Sequence, residues 1–185
     1  VHRFIILIFS ISTNVYAVNY VQEKDIDPVW EPIPNQAIGV PKGANPGRVV
    51  WVWNPEATEK TLSGYWWEEQ NNNLDILEEM FSQGLQNLTD KNIDKDSWEV
   101  LFKHFNKEHG FEEIGYKKGE KIAIKVNLNN CYELFGYTKK DNDRDANPYV
   151  VKALLRQLVN IVGAEQKDIT VYDASRVVSN SFYNR

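Results

Sequence analysis

With 185 residues, 42% of them apolar and 25% charged, the chain has the length and the apolar content of one folded domain, which excludes a wholly disordered polypeptide. A net charge of -5 without a basic stripe excludes a general nucleic-acid binder. The single cysteine, Cys131, excludes an internal disulfide, and it cannot hold an iron–sulfur cluster or a thiolate zinc ion unaided.

At the N-terminus, Phe4 to Phe9 is a short apolar run behind Arg3, followed by polar residues Ser10 to Asn14 and then by Val15-Tyr16-Ala17. Small or slightly branched residues at the third and first positions before a cut suit signal peptidase, so residues 1–17 read as a signal peptide cleaved after Ala17. The run falls short of the ~20 residues that cross a bilayer, so no transmembrane segment is expected in the mature chain. The competing reading of Phe4 to Phe9 is a first core strand. No cysteine follows the run and no Arg-Arg pair precedes it, which leaves a lipoprotein anchor and twin-arginine export without support. The expected location is the periplasm or the extracellular space. A first residue of Val1 instead of Met points to a non-standard start codon or an incomplete gene.

Residues 18–47 carry five of the seven prolines and read as an extended lead-in. The run Arg48 to Trp53, ended by Asn54-Pro55, then predicts a strand buried on both faces. An aromatic loop, Gly64-Tyr65-Trp66-Trp67, follows. Leu74, Leu77, Phe81, Leu85 and Leu88 recur at three- and four-residue steps and predict a helix over about 73–88. A second helix is expected from a cap at Asp94 or Asp96 to Gly110, with Trp98, Leu101, Phe102 and Phe105 inward.

Lys121 to Leu128 predicts a strand covered on both faces, or else an edge strand with Lys121, Ala123, Lys125 and Asn127 toward solvent. A third helix is bounded by Asn147 as cap, Pro148 in the first position and Gly163 as stop. Ile169 to Tyr172 is the last predicted strand. The expected fold is α/β: a parallel, Rossmann-like βαβ sheet with crossover helices in residues 48–185. Because a short parallel sheet leaves an exposed edge, the domain is expected to be truncated at its C-terminus.

Parallel strands joined by a crossover helix place both strand C-termini on one edge, where open α/β sheets bind ligands. Lys125, Asn127, Asn129, Asp173, Ser175 and Arg176 are therefore expected to meet in one crevice. There Lys125 and Arg176 would neutralise a small anionic ligand and Asn127 and Asn129 would orient it. Asp173 would serve as base, metal ligand or hydroxyl acceptor, and Lys125 and Asp173 are the candidate catalytic pair. Ser175 is a further anion binder.

The loop from Thr138 to Asp145 spaces Asp141, Asp143 and Asp145 as in a calcium loop, but Ala146 replaces the glycine and Lys152 the bidentate Glu, so it reads as a solvated loop. Lys139, Lys140 and Arg144 would add to the positive field at the helix N-terminus. Neither a dinucleotide nor a triphosphate glycine loop occurs, the three histidines do not cluster, and no metal site is expected. The cofactor, if any, is not legible.

Several of these segments resemble the domain-of-unknown-function 362 family in its exported branch. Lys121-Ile-Ala-Ile-Lys-Val-Asn-Leu128 is similar to the family's "IKPN" strand, with Val126 in place of the usual proline. Asn147 to Leu155 is similar to the segment entering its helix, and Val162 to Glu165 with Ile169 to Ser175 resemble its close. Pro46 to Pro55 is similar to the lead-in of the exported branch. The likeness covers about 39–176 and implies the N-terminal part of that domain, with Lys125, Asn127, Asp173 and Ser175 as the matched polar positions. The family has no assigned reaction, so the resemblance adds to the fold and the site alone. Two further readings stay open: a non-catalytic secreted module that binds a glycan or protein through Trp66 and Trp67, and an inactive gene fragment.

Overall fold

A computed structural model describes the backbone of 4–8 and residues 38–61, 63–128, 145–176 and 178. Its elements in chain order are β1 (Phe4–Ile8), α1 (Leu74–Thr89), α2 (Asp94–Glu108), β2 (Lys121–Lys125), α3 (Pro148–Arg156) and β3 (Ile169–Tyr172). The strands form one parallel sheet in the order β1-β2-β3. β2, α3 and β3 form the expected strand–helix–strand unit, and Val126 N donates to Tyr172 O at 2.9 Å, carrying the ladder one residue past β2.

Helix boundaries follow local chemistry. Asn73 Oδ1 accepts from Ile76 N at the start of α1, and the helix ends at Asp90, whose φ of 61° is left-handed. Asn147 caps α3 ahead of Pro148 at its first position. The periodicity to Val162 is met, but from Gln157 the turn widens to π geometry, and Gly163 closes it at φ 81°. α2 departs from expectation at its start. Ile93 holds the cap position without a side-chain bond, and Asp94, the first helical residue, turns its carboxylate to the other helices.

One core joins α1, α2, β2 and α3: Leu85 of α1, Trp98 and Phe102 of α2, Ile122 and Ile124 of β2, and Leu154 and Leu158 on α3 and its π turn. Each such side chain removed from water contributes about 1.5–3 kcal/mol. Trp98 lies at the centre, 1% exposed, with ring centroids 6.4 Å from Phe81 and 5.7 Å from Phe102. Its Nε1 donates to Gln157 Oε1 at 3.1 Å. Gln157 Nε2 in turn donates to Ser82 Oγ and Asp94 Oδ2, so one amide ties α1, α2 and the end of α3 together.

β2 is neither doubly covered nor an edge. It lies between β1 and β3, with Ile122 and Ile124 in the core and Lys121, Ala123 and Lys125 half-buried on the opposite face.

The run Arg48 to Trp53 is not a strand of the sheet. It extends along α1 with Val50 and Val52 turned inward, while Val49, Trp51 and Trp53 are 90%, 82% and 66% exposed. Val52 packs over Gly84 on this path: a Cβ there would lie 3.4 Å from Val52 Cγ2, at ordinary contact distance. Arg48 Nη1 donates to Asn87 O and Asn45 Nδ2 to Leu88 O, so the C-terminal carbonyls of α1 anchor the segment. An unbroken apolar run carries no periodicity, and a strand buried on both faces cannot be told from a segment lying on one helix. No helix among the described residues is long and apolar enough to cross a membrane.

Candidate functional site

The sheet register brings the site residues together. Lys125 is the Cα partner of Tyr172, which places the next residue on β3, Asp173, beside the end of β2. Asp173 Oδ2 accepts from Leu128 N at 2.9 Å, and Oδ1 accepts from Ser175 N at 2.9 Å and Ser175 Oγ at 3.2 Å. Lys125 Nζ lies 3.4 Å from Oδ2. Burial pushes this carboxyl up, but the Ser175 and Leu128 amides, the Lys125 charge and the Ser175 hydroxyl together pull it from 3.8 down to about 2. A carboxylate held this firmly by several donors is a weak base. The geometry gives Asp173 a positioning role, clasping the ends of β2 and β3.

Lys125 is the more exposed member of the pair, 26% against 5% for the Asp173 side chain. Its ammonium donates to Val126 O and, at 2.8 Å, to Asn127 Oδ1. Asn127 is exposed, so its carboxamide can swing aside and admit a ligand oxygen to the ammonium. Lys121 makes a comparable pair with Asp168 at the opposite end of the same two strands, so a lysine–aspartate pair ties the strands at each end.

Between β2 and the first turns of α3 lies a cavity of about 20 Å³. Lys125, Asn127 and Asn147 supply its polar lining, and Val150 and Leu154 part of its apolar wall. This is room for about one water-sized group, such as one oxygen of an anion.

The structure thus brings Lys125, Asn127, Asp173 and Ser175 into one cluster. Arg176 follows next in the chain, its Nη1 donating to the carbonyl of the preceding residue, Ser175 O, at 3.2 Å. Asn129, Cys131 and the loop cations Lys139, Lys140 and Arg144 lie outside the described residues. One part of the solvated-loop expectation is overturned: Asp145 is only 6% exposed and forms a bridge with Leu128, while Ala146 N donates to Asn127 O at 2.9 Å. The chain thus returns to the end of β2 before it enters α3.

Sequence reasoning missed an asparagine network beside this cluster. Asn147 Oδ1 accepts from Tyr149 N, and its Nδ2 donates to Asn72 Oδ1 at 2.9 Å in a buried contact. Asn72 Nδ2 donates to Trp66 O at 2.7 Å and Glu68 O at 2.9 Å. Asn71 Nδ2 donates to Ser63 O and Tyr65 O, and Asn71 Oδ1 accepts from Ser63 N. The signal was the run Asn71-Asn72-Asn73. Three residues that compete with regular backbone structure, placed next to an aromatic loop, can brace that loop from within. Among the described residues no group of three or more His, Cys, Asp or Glu is arranged to hold a metal ion. No protein-family model, curated protein or solved structure matches the chain.

Proposed function

We propose that this chain binds a small anion at the C-terminal edge of β2 and β3, within a Rossmann-like α/β domain that serves as part of an exported enzyme. The observation that carries the reading is the Lys125 ammonium, partly exposed beside the cavity and fixed in place by Val126 O, Asn127 and Asp173. Asp173 offsets much of the Lys125 charge, so Arg176 and the positive dipole end of α3 are needed to make the edge attractive to an anion. Asn127 orients the ligand, and Ser175 and Asp173 hold the edge in shape. The likeness of residues 121–128 and 169–175 to the domain-of-unknown-function 362 family supports the same edge.

The test is calorimetric titration and thermal shift with inorganic phosphate, sulfate and acetate, on the parent and on Lys125→Met. The parent is expected to be stabilised by at least one of the three, and the folded variant by none. A folded Lys125→Met that responds to all three as the parent does would sink the proposal.

Export rests on the pattern of residues 4–17. The same segment supplies β1, so N-terminal sequencing of the protein purified from its native host decides between two outcomes. A mature chain starting at Val18 supports export with cleavage. A retained Phe4 refutes cleavage and leaves β1 in the sheet.

A further inference from the structure

The geometry points to one continuous ligand surface formed by the strand-end cluster and the aromatic loop 64–67, which takes an anion carrying a flat aromatic ring. This inference rests on the anion-binding reading above and adds the second half of the ligand. The link between the two regions is Asn147. It lines the cavity beside Lys125 and caps α3, and its Nδ2 donates to Asn72. Asn72 in turn holds the carbonyls of Trp66 and Glu68, so the backbone of the aromatic loop lies two hydrogen bonds away from a cavity-lining side chain.

The loop is held from several sides. Asn71 binds the carbonyls of Ser63 and Tyr65, and Glu68 Oε2 accepts from Tyr65 N at 3.1 Å. Gly64 adopts φ 80°, a left-handed conformation that favours glycine, and a Cβ at that position would lie 2.1 Å from Glu68 Oε2 and displace that carboxylate. The result is a parallel Tyr65–Trp67 pair with centroids 5.3 Å apart and planes 10° from parallel, both rings half-buried. Core aromatics are normally fixed by apolar packing, as Trp98 is. Here buried amides fix the backbone and hold two aromatic side chains partly in solvent, on the loop that Asn72 ties to Asn147. A polar network of this kind specifies one geometry, which is what a preformed stacking surface requires.

The experiment compares matched pairs by calorimetry: phosphate with phenyl phosphate, sulfate with phenyl sulfate, and acetate with benzoate. In the parent the aryl member of the responding pair is expected to bind about tenfold tighter or more, the scale of one aromatic stack. Trp67→Leu is expected to bring the two members of that pair to equal affinity while leaving the simple anion unchanged. Asn72→Ser is expected to reduce the preference by loosening the loop, and Lys125→Met to abolish both. Equal affinities in the parent, or a preference that survives in folded Trp67→Leu, overturn the shared surface and leave the anion site standing. Absence of binding by all six probes overturns both.

Discussion

Asp173→Asn is the sharpest test of how the strand ends are held. The parent carboxyl is kept at about 2 against an ordinary 3.8, a difference that corresponds to about 2 kcal/mol of folding stability. Water at the mouth of the cluster screens part of this, leaving about 1 kcal/mol from charge. An amide also turns its NH₂ toward one of two backbone donors, Leu128 N or Ser175 N, and orphans it at a cost of about 1 kcal/mol. The expected total at pH 7 is about 2 kcal/mol, or a fall in Tm of about 4–8 °C for a chain of this size.

The folded-state value lies below the unfolded one, so the charge contribution is complete above the ordinary 3.8 and is lost as pH falls toward 2. Urea denaturation of both proteins at pH 7, 5, 4 and 3 should therefore show a gap that is constant from 7 to 5 and narrows below 4. A gap of the same size at every pH, or none at pH 7, would refute the assignment of Asp173 as an ionised clasp.

Other substitutions check the packing. Trp51→Ala should change stability by less than about 0.5 kcal/mol in urea denaturation, because the ring is 82% exposed. A loss of about 3–5 kcal/mol would instead restore a buried strand at 48–53. Gln157→Leu leaves the indole N–H of Trp98 buried without its acceptor and removes one donor from Asp94, for an expected loss of about 1–3 kcal/mol by the same assay. Asn147→Ala removes both the α3 cap and the bond to Asn72, and should lower Tm by the equivalent of about 1–2 kcal/mol. No loss in that variant would show that the network is incidental.

The residues that sequence reasoning placed well are those whose signals are local. Asn147-Pro148 and Gly163 bound a helix because a cap, a fixed φ and a left-handed stop act within one turn. The apolar stripes of α1 and α2 recur at the helical period, so their inward faces were legible before any partner was known. The strand–helix–strand order was enough to predict that Lys125, Asn127, Asp173 and Ser175 share an edge, since two parallel strands joined by a helix allow no other placement of their C-termini.

What only tertiary structure decided is which partner each group found. Val49, Trp51 and Trp53 are as apolar as any core strand, yet they lie outward because the segment is anchored along α1 with Val50 and Val52 on its inner side. Asp145 sits in the most charged stretch of the chain and is nonetheless buried, because its backbone bridges Leu128. Asp173 is chemically the same acid as a catalytic base. The register sets it against two amide donors and a lysine, which favour its ionised form and join the ends of β2 and β3 through it. Composition and periodicity determine which faces leave water. The pairing of polar groups depends on contacts between residues far apart in the chain, such as Asn72 with Asn147, and no local pattern encodes these.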